Sequence, residues 1–382
     1  MDLIRLGDIA TYINGYAFKP KDWREKGIPI IRIQNLNDPN KEYNYFDGEI
    51  DSKYLVNEGD ILISWSASIG VYEWRGQQGV LNQHIFKVDF NKIKIDKKYF
   101  KYIVSIALNR ALQYMHGSTM KHITKQYFDN ILIPVPLFDQ QIKIANILDQ
   151  AQELIDKRKA QIEVLDELIQ SVFYEMFGDP GLNSKGWETG RISDIIVKTQ
   201  YGTSTKANET EGEYAVLRMN NITYSGNWDF KSLKYVDLDE KDREKYLVYK
   251  GEVLFNRTNS KELVGKTAVY KKEEPMAYAG YLVKATPNNR ANGQFIASYM
   301  NTKYTKSLLF NMAKNIVGMA NINAEEFKNI KVYIPPIEIQ NQFAEIVESI
   351  EKQKELLNES LVELENNFNS LMQRAFSGGA LR

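Results

Sequence analysis

Amide, hydroxyl and basic side chains gather in short stretches of this 382-residue chain, and their types suit contact with nucleic acid. Asn, Gln and Arg can form paired hydrogen bonds with base edges, whereas Lys and Arg neutralise phosphates. In the first half of the chain the candidate DNA-binding residues are Asn14, Tyr16, Lys19, Arg32, Gln34, Asn35, Ser64, Ser66, Ser68, Arg75, Gln77, Gln78, Asn82, Gln83, His84 and Lys121. In the second half they are Gln200, Tyr201, Thr203, Ser204, Lys206, Arg218, Asn220, Asn221, Asn256, Arg257, Thr258, Asn259 and Lys261. The alternative is that these residues only satisfy the backbone of strand-end turns.

Residue patterns for catalysis are missing from the sequence. No glycine-rich loop ends in Lys-Ser or Lys-Thr, and no Gly-x-Gly-x-x-Gly follows a strand, so neither ATP nor a dinucleotide has a recognisable site. The Asn/Asp-Pro-Pro-Tyr/Phe signature of amino-methyltransferases is absent too, and the three histidines lack metal-ligand spacing. We therefore expect no catalytic residue, no metal site and no cofactor in this chain.

Charge is balanced overall but unevenly distributed. Lysine and arginine number 49, as do aspartate and glutamate. The segments 139–177 and 338–376 carry −4 and −5, which leaves +9 for the rest of the chain. This distribution permits a phosphate-binding surface, although ordinary solvated charge explains it equally well.

The chain contains no cysteine, which excludes disulfides and thiolate metal sites and fits a reducing compartment. Its first residues do not form a basic stretch followed by an apolar one, and no apolar run approaches the ~18 residues of a membrane span. We expect a cytoplasmic protein with more than one hydrophobic core.

The sequence contains an internal duplication. Residues 119–177 return at 318–376, so that Phe128, Asn130 and Ile131 reappear as Phe327, Asn329 and Ile330. Upstream, 54–62 returns at 246–254 with a shift of 192. A repeat of this length is a whole folding unit rather than a solenoid module. Because the polar loop residues differ between the copies, two such units on one framework can recognise two different sequences.

Each repeat ends in a predicted long helix. The stretch 139–177 has no proline or glycine, and apolar residues recur in it at intervals of three and four. Neither helix can bury its apolar stripe alone, so we expect the two to pair, either with each other or between two chains. The predicted interface residues are Leu148, Ile155, Ile162, Leu165, Ile169, Val172, Val347, Ile350, Leu357, Leu361, Leu364, Phe368 and Leu371. One charged residue interrupts each stripe, at Arg158 and at Lys354.

The unit before each helix is predicted to be mixed. Its β-prone runs include 28–33, 60–64, 215–219 and 252–255, followed by helical stretches at 100–114 and 295–312. Gly178–Asn183 ends the first helix, and proline-containing segments precede both helices. The predicted boundaries are 1–138, 139–178, 179–336 and 337–382.

These features resemble the DNA specificity (S) subunits of type I restriction-modification systems over nearly the whole chain. The resemblance rests on the duplication, on Gly59-Asp60-Ile61-Leu62 with Gly251-Glu252-Val253-Leu254, and on the helix starts Pro136-Leu137-Phe138-Asp139-Gln140-Gln141 and Pro335-Pro336-Ile337-Glu338-Ile339-Gln340. Phe177-Gly178-Asp179-Pro180 at the end of the first helix is equally typical. The sequence departs from the family at Ile339, where an acidic residue usually precedes the glutamine.

The resemblance implies an α+β fold with two similar mixed α/β target recognition domains, 1–138 and 179–336. Two conserved helical spacers, 139–178 and 337–382, would separate them and pack as an antiparallel coiled coil. Each domain would read one half of a bipartite, asymmetric double-stranded DNA site, and the helix pair would set the gap. Two modification (methyltransferase) subunits and the restriction (endonuclease/translocase) subunits would be partners, with S-adenosylmethionine, ATP and Mg bound on those subunits and no membrane involved.

A coiled-coil adaptor with two protein-binding domains remains the alternative interpretation. It predicts exposed apolar patches on the loops and little dependence of binding on salt. A fused methylase and nuclease would require catalytic motifs that the sequence does not contain.

Overall fold

The computed structural model describes residues 2–38, 40–114, 123–316 and 318–376. The chain divides into two compact units. The first unit combines Met1–Lys157 with Leu361–Arg382, and the second unit is Arg158–Ser360. Each long helix is therefore divided between the two units.

The first unit contains strands and helices in mixed order, as the sequence predicts. Its strands are β1 (Asp2–Arg5), β2 (Thr11–Asn14), β3 (Ile28–Ile31), β4 (Asn44–Phe46), β5 (Leu55–Val56), β6 (Ile61–Ser64), β7 (Gly70–Glu73), β8 (Gly79–Leu81), β9 (Ile85–Asp89) and β10 (Leu132–Val135). Its helices are α1 (Leu6–Ile9), α2 (Ile33–Asn37), α3 (Lys97–Tyr114), α4 (Lys125–Asp129) and the first half of α5 (Phe138–Phe177).

The second unit has a similar order with additional strands and helices. Its strands are β11 (Glu188–Arg191), β12 (Ile196–Tyr201), β13 (Tyr214–Leu217), β14 (Lys234–Val236), β15 (Leu247–Val248), β16 (Val253–Asn256), β17 (Thr258–Asn259), β18 (Thr267–Val269), β19 (Met276–Tyr278), β20 (Leu282–Pro287), β21 (Lys314–Ile316), β22 (Met319–Asn321) and β23 (Lys331–Ile334). Its helices are α6 (Glu240–Tyr246), α7 (Gly293–Met300), α8 (Lys303–Met312), α9 (Ala324–Lys328) and the first part of α10 (Ile337–Phe376).

Sheet topology is the same in both units. The four-stranded sheets β2-β9-β6-β7 and β4-β3-β8-β5 of the first unit correspond to β12-β20-β16-β18 and β14-β13-β19-β15 of the second. The parallel pairs also correspond, because Ile30 faces Val80 in one unit and Val216 faces Ala277 in the other. The second unit adds a three-stranded ribbon, β17-β22-β21. The duplicated sequence therefore builds a duplicated fold.

The long helices pack antiparallel against each other. In the first unit, Leu148 of α5 shares a hydrophobic core with Phe368 and Leu371 of α10. In the second unit, Ile169 and Val172 of α5 pack into the core that contains Val347 of α10. All thirteen predicted interface positions are buried or half-buried. The charged residue Lys354 is accommodated by an ion pair with Asp166 on the other helix.

A buried glutamine fixes the start of each long helix. Gln141 accepts from the backbone N–H of Asp96 (2.9 Å) and donates to the carbonyl of Pro136 (2.8 Å). Gln340 makes the same pair of bonds with Asn292 and Pro335, at 2.9 and 2.8 Å. The two glutamines are therefore equivalent, and the departure at Ile339 does not shift the alignment of the repeats.

Two local features of the helices follow from capping. Gly178 follows α5 with a φ of +81°, a conformation that glycine adopts without strain. The predicted helical stretch 295–312 is confirmed, and the structure divides it into α7 and α8. Thr302 begins α8 by accepting a hydrogen bond from the N–H of Thr305 (3.3 Å), which interrupts the helix at that point.

The second unit contains a cavity of about 480 Å³ beside its half of the helix pair. Ile169, Trp228, Ala297, Ser298 and Glu348 are among the residues that line it. At the equivalent place in the first unit, Tyr102 packs 6.2 Å from Phe368 and its hydroxyl donates to Asp149 (2.7 Å). The cavity thus lies where small side chains replace large ones.

No helix within residues 2–38, 40–114, 123–316 and 318–376 combines the length and the hydrophobicity of a membrane span. No group of three or more His, Asp or Glu side chains within these ranges could hold a metal ion.

Candidate DNA interface

Three loops of the first unit meet at one end of the sheet β2-β9-β6-β7. The N–H of Gly15 bonds to the carbonyl of Ile85 (3.0 Å), which joins the loop after β2 to the loop before β9. The N–H of Trp65 bonds to the carbonyl of His84 (3.2 Å), and the N–H of Ile123 bonds to that of Trp65 (3.3 Å). We call Asn14, Tyr16, Trp65, Asn82, Gln83 and His84 the first tip.

The second unit uses the same backbone hydrogen bonds. Gly202 bonds to Leu282 (3.2 Å), Arg257 to Tyr281 (3.0 Å), and Ile322 to Arg257 (2.9 Å). These contacts place Arg257 where the first unit has Trp65. We call the equivalent residues Tyr201, Thr203, Arg257, Ala279, Gly280 and Tyr281 the second tip.

A glycine lets the loops of each tip approach closely. A side chain at Gly15 would place its Cβ 2.0 Å from the carbonyl oxygen of Asn82. At Gly202 the corresponding contact, with the carbonyl oxygen of Ala279, would be 2.4 Å. Because such distances are impossible, both units require glycine here to bring the polar loops together.

An edge-on aromatic contact and a hydrogen bond organise the first tip. The indole Nε1 of Trp65 donates to Oδ1 of Asn14 (3.2 Å), and the ring lies 4.8 Å from that of His84. Lys125 lies beside the tip, 5.6 Å from the ring centre of Tyr12, and forms an ion pair with Asp129 (2.8 Å). The first tip therefore presents an aromatic surface with amide and imidazole groups around it.

An arginine organises the second tip. The guanidinium carbon of Arg257 lies 4.7 Å from the ring centre of Tyr201, whose hydroxyl accepts from the N–H of Ala324 (3.1 Å). Tyr281 is 49% exposed at the same tip. The two tips thus share a backbone and differ in the side chains that they present.

Six of the predicted DNA-binding residues are buried, between 0% and 4% exposed: Asn35, Ser64, Thr203, Asn221, Asn256 and Thr258. Asn35 accepts from the N–H of Arg32 (3.1 Å) and donates to the carbonyl of Lys41 (3.2 Å). Asn221 does the same with Arg218 (2.9 Å) and Asp229 (2.8 Å). The polar groups of these six residues serve the fold or lie beneath the surface, so the structure does not expose them for the DNA contact that the sequence predicts.

Arg75, Gln77 and Gln78 lie away from the first tip. In the β6–β7 hairpin Ile61 faces Glu73, so the residues after β7 lie at the end opposite Ser64 and Trp65. Gln78 donates its amide to Asn57 at that end (2.8 Å). These three predicted residues are therefore not brought together with the first tip.

The residues after β3 and β13 bond to neighbouring loops. Arg32 donates to Asn44 (2.9 Å), and its guanidinium lies 5.2 Å from the ring centre of Trp23. Gln34 donates to the carbonyl of Glu42 (3.2 Å), and Arg218 to that of Ser232 (2.7 Å).

The remaining predicted residues with described side chains are exposed or half-buried: Asn14, Tyr16, Lys19, Ser66, Ser68, Asn82, Gln83, His84, Gln200, Tyr201, Ser204, Lys206, Asn220, Arg257, Asn259 and Lys261. Lys121 lies outside the described residues.

Sequence reasoning missed Trp65 and Tyr281 as members of the tips. A signal for Trp65 was present, since the shift of 192 that maps Gly59 onto Gly251 also maps Trp65 onto Arg257. Tyr281 could be found only from the structure, because its position depends on the backbone bond with Arg257.

Comparisons with known proteins agree with this architecture. The chain is 24% identical over 416 residues to the EcoBI type I restriction enzyme specificity subunit of Escherichia coli, covering 98% of this chain and 85% of that protein. It is 24% identical over 399 residues to the MjaVIII type I restriction enzyme specificity subunit of Methanocaldococcus jannaschii, covering 99% and 92%.

Two solved structures share the fold. One comes from work on complex assembly and conformational transition of the type I R-M system, with a TM-score of 0.61, 15% identity and coverage of 99% and 98%. The other is the type I restriction-modification S subunit from M. genitalium, with a TM-score of 0.54, 14% identity and coverage of 98% and 96%. The family model for the type I restriction modification DNA specificity domain matches residues 1–165 and 184–366. The chain therefore belongs to the family of type I restriction-modification DNA specificity subunits.

Proposed function

We propose that each unit of this specificity subunit reads one half of a bipartite, asymmetric double-stranded DNA site through its tip. The observation that carries the proposal is the replacement of Trp65 by Arg257 on the same backbone hydrogen bonds. A framework shared by both units, with different exposed side chains, is suited to placing two different sets of contacts on one DNA. The exposed lysines Lys19 and Lys206 on the loops that follow β2 and β12 are suited to phosphate contact.

The pair formed by α5 and α10 would set the length of the unread gap and dock two modification subunits. Those subunits would bind S-adenosylmethionine and methylate adenine, and restriction subunits would supply ATP- and Mg-dependent translocation and cleavage. In this assignment the chain contributes recognition and no catalytic residue. Family membership disfavours the adaptor alternative.

The test is methylome sequencing of cells that carry this chain with its modification subunits. We expect methylation within one bipartite motif, two short defined sequences separated by a fixed number of unspecified bases. Replacing residues 256–261 by the equivalent first-unit residues 64–69 should change one half of that motif and leave the other half intact. A motif without two parts, or equal changes in both halves, would contradict the proposal.

Salt dependence separates DNA reading from an adaptor role. Binding of the assembled complex to its motif should weaken as salt rises, because contacts with phosphates release counterions. An adaptor that binds proteins through apolar loops would show little change over the same range. The measurement is the dissociation constant of a labelled duplex at a series of salt concentrations.

A further inference from the structure

We propose that Arg257 reads a guanine in the half-site of the second unit, and that Tyr201 positions it. This inference rests on the proposed function and assigns the first base identity within it.

The arginine is held from three sides. Its backbone N–H and carbonyl bond to Tyr281 and Ile322, so the Cα position is fixed. The ring of Tyr201 faces the guanidinium carbon at 4.7 Å, and the hydroxyl of that ring is anchored on the N–H of Ala324. A planar guanidinium stacked on an anchored ring loses little further freedom when it binds a base edge.

The hydrogen-bonding capacity of this guanidinium is largely unused. Its Nη1 reaches the carbonyl of Gly280 at 3.4 Å, which is close to the outer limit for a hydrogen bond. The other arginines of the second unit's globular part have shorter bonds, such as Arg243 with Glu213 (2.9 Å) and Arg290 with Glu188 (2.7 Å). Arg257 therefore differs from them in lacking a strong acceptor for its terminal N–H groups among the contacts that the structure describes.

Guanine supplies the acceptors that this arrangement lacks. Its O6 and N7 lie side by side in the major groove and accept both N–H groups of an arginine fork, whereas adenine offers a donor in place of O6. A bidentate contact of this kind discriminates against the wrong base by roughly 5- to 150-fold.

The first unit has no cation at the equivalent position. Trp65 stands there, and its indole N–H is directed to Asn14, which occupies the place of Tyr201. We therefore assign the arginine–guanine contact to the half-site of the second unit alone.

The test uses the assembled complex of this chain with its modification subunits and a duplex that carries the motif. Each guanine in turn is replaced by 7-deazaguanine, which removes the N7 acceptor and keeps base pairing. With the unchanged protein we expect binding to weaken at least fivefold at one guanine in one half-site. In Arg257→Gln that penalty should disappear, and the methylome should show a relaxed base at the same position.

Matched variants isolate the roles of the two residues. Arg290→Gln removes an exposed arginine elsewhere in the second unit and should leave the motif and the 7-deazaguanine penalty unchanged. Tyr201→Ala should lower the preference for guanine at the same position, whereas Tyr201→Phe, which keeps the ring, should retain most of it. If Tyr201 had only a structural role, Tyr201→Ala would instead reduce binding to all DNA sequences equally.

The possible outcomes distinguish this inference from the proposed function. A bipartite motif in which no guanine shows the penalty, or in which Arg257→Gln leaves the penalty in place, overturns the inference and leaves the proposed function standing. Absence of any bipartite motif with the unchanged chain overturns the proposed function itself. If Arg257→Gln does not fold, the 7-deazaguanine scan with the unchanged protein and with Tyr201→Ala still decides the question.

Discussion

Trp65 and Arg257 occupy the same position in the two units. Two backbone hydrogen bonds hold each residue: Trp65 bonds to His84 and Ile123, and Arg257 bonds to Tyr281 and Ile322. The side chain at this position has nevertheless changed from an uncharged aromatic to a cation. Because the backbone is preserved, this exchange alters what the tip can contact without altering how the tip is built.

Replacement of Trp65 should therefore affect one half-site only. In Trp65→Ala we expect relaxed base choice at one or two positions of the first unit's half-site and roughly tenfold weaker binding, within the ~1–3 kcal/mol typical of one disturbed base contact. The measurement is the methylome of cells carrying the variant. Leu132→Ala, an exposed position on β10 in the same unit, is the control and should leave the motif unchanged. Changes in both halves would argue against independent units.

Features that depend on local sequence could be predicted from the sequence. The first long helix was expected over 139–177 and spans Phe138–Phe177, because an unbroken apolar periodicity and a terminal glycine are local signals. The exposure of individual loop residues could not be predicted in this way. Asn35 is buried because its amide bonds to Lys41 and Glu42 on a returning segment, and Gln78 is remote from the first tip because of the hairpin register. Both depend on contacts that the residue type does not reveal.

Shortening both long helices should shorten the unread gap of the DNA motif. Deleting 156–162 from α5 and the equivalent 355–361 from α10 removes seven residues from each, which preserves the apolar heptad. Each helix loses roughly 10 Å at ~1.5 Å per residue, or at most about three base-pair steps of ~3.4 Å. Methylome sequencing should show both half-sites intact with a gap shorter by one to three bases. An unchanged gap would refute the role of the helix pair in spacing.

The buried ion pair in the second unit gives a prediction about pH. Lys284 is 3% exposed; it donates to the carbonyl of Leu247 (2.6 Å) and lies 3.3 Å from Glu252. Burial lowers the pKa of Lys284, while Glu252 opposes that shift. Glu252→Gln leaves a buried ammonium without its counter-ion, so we expect a loss of about 3–5 kcal/mol in the free energy of unfolding at pH 7.

The same variant should become relatively more stable as pH rises. Without Glu252 the pKa of Lys284 falls further below its value in the unfolded chain. Between these two pKa values the unfolded state binds more protons than the folded state. The stability deficit of Glu252→Gln relative to the unchanged protein should therefore shrink between pH 7 and pH 9.5, as measured by urea unfolding. Lys284→Met combined with Glu252→Gln removes both charges, so its deficit should not shrink over this interval. A Glu252→Gln deficit that is constant or grows over this interval would contradict the assignment.

Filling the cavity of the second unit should stabilise it. The first unit fills the equivalent space with Tyr102, which donates to Asp149. The second unit has Ser298 in place of the tyrosine and Glu348 in place of the aspartate, and both line the cavity. Ser298→Tyr should therefore place a ring against Ile169 with its hydroxyl near Glu348 and raise the free energy of unfolding by about 1 kcal/mol.

The reciprocal change in the first unit is the matched control. Tyr102→Ser removes a ring that is 8% exposed and should cost roughly 3 kcal/mol, because the surrounding helices cannot close the space. Urea unfolding of both variants, with the DNA motif checked to be unchanged, measures the two effects. If Ser298→Tyr destabilises the protein while Tyr102→Ser behaves as expected, the two sites are not equivalent, and the loop containing Trp228 has shaped the cavity so that it no longer accepts the ring that fills its counterpart.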